Sequence, residues 1–120
     1  MATWDDVRRA ATALPEVTED GPLSWRVRGR SFAHDRPLRA RDLTELGGSA
    51  PAGPVLCVRV ADLTAKQATL AEHAAAFTVT HFHGFPAVLL RVDELDEHEV
   101  VELVELAKAP KRLAARWVAG

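Results

Sequence analysis

Trp4, Val7, Ala11 and Leu14 recur at helical spacing, and Thr3 followed by Asp6 makes a capping-box-like start, so the pattern predicts an amphipathic helix over about 4–14, closed by Pro15. The acidic segment Glu16 to Pro22 reads as a linker. Beyond it the stretch SWRVRGRSF, Ser24 to Phe32, alternates apolar and cationic residues around a glycine. This predicts a β-hairpin with Gly29-Arg30 as a two-residue turn, glycine taking the first central position. In that register Val27 faces Phe32 and Trp25 faces His34, while Arg26 and Arg28 point to the other side with Ala33 and Ser31. A turn displaced by one residue would carry Arg30 to the apolar side.

Arg36 to Gly53 reads as loop, with Leu38, Leu43 and Leu46 tacking its first half to the body and the breaker-rich Gly47 to Gly53 as its best candidate for disorder. Pro54 to Val60 is an almost unbroken apolar run, free of charge until Arg59, which predicts a strand at the centre of a sheet. Thr64 with Gln67 suggests a second capping box, with Leu63 as hydrophobic staple and a helix running to about Ala75. Phe77 to Phe82 and Ala87 to Val92 form a second strand pair around His83-Gly84-Phe85-Pro86. Asp96 with Glu99 opens a third helix striped by Val100, Val101, Val104 and Ala107. Pro110 then kinks or breaks it before a basic helical tail, Leu113 to Trp117. Because the strands come in short-loop pairs rather than separated by helices, the expected fold is α+β, a mainly antiparallel sheet packed against helices.

A length of 120 residues with 48% apolar and 27% charged positions suits one domain spanning 1–120. The single cysteine, Cys57, stands inside Val55-Leu56-Cys57-Val58, where it forms no internal disulfide and is expected to pack as a small hydrophobe. Acids rather than bases follow the first residues, and no apolar run approaches the ~18 residues of a membrane span. The expectation is a cytoplasmic protein with no membrane partner.

Charge changes the picture locally. Between Trp25 and Arg41 stand six arginines (Arg26, Arg28, Arg30, Arg36, Arg39, Arg41) against Asp35 alone, a balance of +5 in a chain whose net charge is -2. Guanidinium groups suit bidentate contacts to phosphate, and phosphate contacts carry most non-specific nucleic-acid affinity, so these six are the candidate nucleic-acid-binding residues and DNA the candidate partner. The competing explanation is a solvated hairpin face whose arginines pair with nearby acids. Lys108, Lys111, Arg112 and Arg116 extend the basic patch or complement a helix C-terminus.

His81 and His83 form an H-x-H pair that would share one face of a strand, but two ligands do not make a metal site, and His34, His73 and His98 are scattered. No metal or other cofactor is therefore expected. The acids fall in runs that read as linker and helix N-terminal caps, Gly47-Gly48 lacks the lysine and helix of a phosphate loop, and no catalytic residue is assigned. A reading from another class is a protein-interaction or small-ligand module using a pocket near Trp25, His81, His83 and Phe85.

The ordered set of segments resembles the MmcQ/YjbR family. It comprises the N-terminal helix ending Leu14-Pro15-Glu16-Val17, the hairpin Val27-Arg28-Gly29-Arg30-Ser31-Phe32-Ala33, and the strand-helix unit Val55 to Glu72. It continues through Gly84-Phe85-Pro86-Ala87-Val88-Leu89-Leu90-Arg91-Val92 and the helix ending Ala109-Pro110-Lys111-Arg112-Leu113-Ala114. The resemblance implies a frataxin-like (CyaY-like) fold in a double-wing arrangement and DNA binding. Where many relatives carry an Asn-Lys-x-His-Trp-like segment, this chain has Thr80-His81-Phe82-His83-Gly84-Phe85-Pro86, so roles of that lysine and tryptophan do not transfer. Iron binding through an acidic first helix does not transfer either, since Asp5 and Asp6 are followed by Arg8 and Arg9.

Overall fold

Reciprocal caps set the two helices that flank the chain. In the computed structural model, which describes residues 1–109, the Thr3 N–H donates to Asp6 Oδ2 at 2.8 Å and the Asp6 N–H to Thr3 Oγ1 at 3.4 Å, starting α1 (Trp4–Thr12). Asp96 and Glu99 exchange the same pair of bonds at 2.8 and 3.2 Å to start α4 (Glu97–Lys108). Val7 and Ala11 of α1 and Val100, Leu103, Val104 and Ala107 of α4 are buried, and the two helices pack on each other across one face of the sheet. Val101, expected on the α4 stripe, is 45% exposed, because one residue past Val100 is a turn of about 100° around the helix. The basic tail 113–117 lies outside the described residues.

The sheet contains β1 (Val17–Glu19), β2 (Ser24–Val27), β3 (Arg30–Asp35), β4 (Val55–Arg59), β5 (Ala76–Phe77) and β6 (Ala87–Arg91) in the order β1-β2-β3-β4-β6-β5, every neighbouring pair antiparallel. The fold is α+β with the sheet packed on helices, as the strand spacing predicts. β4 is central, and Val55, Leu56, Cys57 and Val58 are all buried because both of its faces are covered. Leu56 and Val58 face α1 and α4 with Trp25, Ala33 and Leu90. Val55 and Cys57 join Phe77, Val79 and Leu89 in a smaller cluster, against which Leu38, Leu46 and Phe82 pack. Burial raises the Cys57 thiol to about 11, so it stays protonated and behaves as the expected small hydrophobe.

Four local expectations are corrected. The hairpin turn is Arg28-Gly29, not Gly29-Arg30: both residues have positive φ (52° and 78°), the requirement of a type I′ turn, whose twist matches that of the flanking strands. Val27 consequently pairs with Arg30 and Trp25 with Ala33, and a bulge leaves Phe32 as the extra residue on β3. The bulge puts Phe32 and Ala33 both in the core while Arg30, at the end of the ladder, remains exposed. The cost expected of this shift is thereby avoided. The acidic linker contributes β1, which pairs Val17 with Val27 and Glu19 with Trp25. The loop read over 36–53 contains α2 (Ala40–Leu46), and its glycine end is a 3₁₀ turn, Gly47–Ser49, tied down when Arg91 donates to the Ser49 carbonyl at 3.3 Å. Finally, α3 (Leu63–Glu72) is capped by Asp62, which accepts from the Ala65 N–H at 2.8 Å, rather than by Thr64; Leu63 is therefore the first helical residue, not a staple.

Candidate nucleic-acid interface

The six arginines go to different places. Arg26, on β2 opposite Thr18 and Ser31, has its Nε 2.8 Å from Asp20 Oδ2 and donates through Nη1 to the Gly29 carbonyl at 3.0 Å. Arg28, at the hairpin tip, is exposed and pairs with Glu16 at 3.0 Å. Arg36 is withdrawn from the surface: it is 7% exposed, bonded to Asp42 at 3.2 Å and to the Pro37 carbonyl, and lies over the Phe82 ring at 5.3 Å. A guanidinium so engaged closes α2 onto the body and has no place in the candidate interface. Arg39 and Arg41 are exposed at the start of α2. Among the described residues no acid lies within ion-pair distance of Arg30, Arg39 or Arg41.

Of the six, Arg28 and Arg30 share a recess, of about 320 Å³, between the hairpin tip and the C-terminal end of α4. Its other charged lining residues are Arg59, Lys108 and Glu16, four cations against one carboxylate. Arg59 is fixed there by donating from Nε to the Ala107 carbonyl at 2.7 Å and from Nη2 to the Lys108 carbonyl at 2.6 Å, which satisfies two of the acceptors a helix C-terminus leaves open. Burial, and then the adjacent Arg30 charge, lower its pKa from the ordinary arginine value, so two like charges stand close together at this spot.

The pocket expected around Trp25, His81, His83 and Phe85 does not form. Trp25 is fully buried under α1, its indole N–H donating to Glu19 Oε1 at 3.0 Å and its ring 6.4 Å from that of Trp4. His81 and Phe82 lie in a 3₁₀ turn, Thr80–Phe82, so the H-x-H pair is not on a strand, and Phe85 is 60% exposed. His83 instead lines a separate cavity with Glu45, Lys66 and Gln67. Among the described residues there is no group of three or more His, Cys, Asp or Glu able to hold a metal ion, and no helix is long and apolar enough to cross a membrane.

Comparison with known proteins places the chain beside mycobacterial relatives. It is 41% identical over 126 aligned positions to the protein Rv2570 of Mycobacterium tuberculosis, covering 99% of this chain and 98% of that one, and equally so to Mb2600 of Mycobacterium bovis. The chain belongs to this family. Both relatives are described only as uncharacterized proteins. No family model matches the chain, and no solved structure matches it.

In this family member, two cations that the sequence does not single out are also firmly placed. Arg59 reads only as the end of an apolar run, although a charge closing such a run is a signal that the strand's end meets something polar. Lys66 looks like an ordinary helical lysine, yet it is 5% exposed and donates to the carbonyls of Phe82 and Phe85 at 2.7 and 2.9 Å.

Proposed function

We propose that this is a cytoplasmic, non-enzymatic protein that binds nucleic acid, DNA foremost, through phosphate contacts at the β2–β3 hairpin tip. The observation that carries the reading is the recess where Arg28, Arg30, Arg59 and Lys108 converge against Glu16 alone. A concave site in which cations outnumber carboxylates raises the local concentration of an opposite charge, and an exposed hairpin is a shape that can lie along a duplex backbone. The resemblance to the MmcQ/YjbR family, with the DNA binding proposed for it, points the same way. Arg39 and Arg41 would form a secondary contact at most, and Arg26, tied to Asp20, orients the hairpin.

Fluorescence anisotropy with labelled duplex and single-stranded DNA across a salt series tests this. Binding should weaken steeply with salt, and Arg28→Ala with Arg30→Ala should lower the slope of log K against log salt by up to about 2, one for each phosphate no longer neutralised. Arg39→Ala with Arg41→Ala should change it less. Salt-independent binding, or a slope unmoved by the tip double variant, would falsify the proposal.

A further inference from the structure

A cavity of about 310 Å³ opens between α3 and the segment 78–84, away from the hairpin tip, at the low end of the roughly 300–1,000 Å³ typical of small-molecule sites. We infer that it binds a small zwitterion of the free amino-acid class, with Lys66 receiving the ligand's carboxylate and Glu45 its ammonium.

The inference starts from a buried charge. Lys66 donates two of its N–H groups to the Phe82 and Phe85 carbonyls, and among the described residues no carboxylate pairs with its ammonium. Holding two carbonyls needs only a neutral donor, whereas an ammonium buried without a counter-charge is costly and leaves its third N–H to be satisfied. Burial accordingly lowers the Lys66 pKa from the ordinary lysine value. The same cavity is lined by Glu45, on α2, an exposed carboxylate whose two oxygens accept from the Thr80 N–H at 3.1 and 3.0 Å. Glu45 and Lys66 are thus opposite charges on one cavity that do not pair with each other. A simple anion would meet repulsion from Glu45 and a simple cation repulsion from Lys66; a molecule carrying both signs satisfies each. Leu63, Leu70 and Val79 supply apolar wall for a side chain.

Thermal denaturation and isothermal calorimetry with each of the common free amino acids at millimolar concentration test the assignment. At least one should raise the melting temperature by mass action. For that amino acid, the N-acetylated acid and the decarboxylated amine should each bind at least about tenfold more weakly, as expected when one charged hydrogen bond is removed. Glu45→Gln, which keeps an acceptor for Thr80, should weaken binding of the amino acid by a similar factor. Lys66→Met should abolish it; because Lys66 also holds the 82–85 loop, the ligand analogues and Glu45→Gln decide the question if that variant does not fold. The inference is overturned if no amino acid stabilises the wild-type protein, or if the singly charged analogues or the Glu45→Gln variant bind as well as the parent pair.

Discussion

On one face of the sheet α1 and α4 lay down Val7, Ala11, Val100, Leu103, Val104 and Ala107 against Trp25, Phe32, Ala33, Leu56, Val58 and Leu90, a continuous apolar layer. On the other, a cluster of Val55, Cys57, Phe77, Val79 and Leu89 is roofed by a short helix and loops, and cations hold the roof in place. Arg36 joins Asp42 and lies over Phe82, Lys66 takes two carbonyls of the 82–85 loop, and Arg91 stacks over Phe77 at 4.4 Å while donating to Ser49. The helical face is closed by buried area, which is non-directional. The looped face is closed by directional bonds from long side chains, each of which fixes a segment with little regular structure of its own. Irregular backbone exposes more unpaired carbonyls than helices do, and cations are the donors that reach them.

Substitutions on the two faces should fail differently. The largest effect belongs to the helical face: Trp25→Ala should cost about 3–5 kcal/mol of stability in urea unfolding, through lost burial and a large cavity. A cost below about 1 kcal/mol would show that the apolar layer is not what closes this face. On the looped face, Asp42→Ala leaves Arg36 buried and unpaired and should cost about 3 kcal/mol, whereas Arg36→Met combined with Asp42→Leu should cost clearly less than the single change. Equal losses would mean that packing rather than charge closes the roof there too.

The smallest effect is a pH dependence at the rim of the helical face. Arg8 on α1 donates to Glu19 on β1 at 2.9 and 3.2 Å, and the Trp25 indole adds a third bond to the same carboxylate. The Arg8 hydrogen bonds first, and then the Trp25 bond and the Arg8 charge, hold the Glu19 carboxyl below its ordinary value of 4.5 despite partial burial. A carboxyl depressed in the folded state stabilises above its unfolded pKa and loses that contribution as pH falls through the folded one. Urea unfolding between pH 6 and pH 3, as a working range of roughly one and a half units on either side of that value, should show stability declining on acidification, and Glu19→Gln should flatten the decline.

Legibility in the sequence followed the range of the interaction. The capping boxes of α1 and α4 are complete within four residues, and the central strand announces itself by lacking charge, so both were readable. At the start of α3 Asp62 and Thr64 both qualify locally as the cap, and only the fold selects Asp62. β1 carries one half-buried residue in three and exists only through its pairing with β2. The hairpin register depended on a bulge that no local pattern specifies. The candidate site was harder still: Arg36 looks like its neighbours until Asp42, in a segment read as loop, turns inward. Trp25 and His83 are apart because the one belongs to the helical face and the other to the loops.

The backbone at Arg28 is left-handed. A type I′ turn favours Asn-Gly or Asp-Gly, and an arginine at φ 52° sits there at a cost of the order of 1 kcal/mol. Asparagine in its place would relax the turn and remove the outermost guanidinium of the hairpin. The molecule therefore carries a small internal tension at its tip, between the residue its backbone would choose and the one its surface presents.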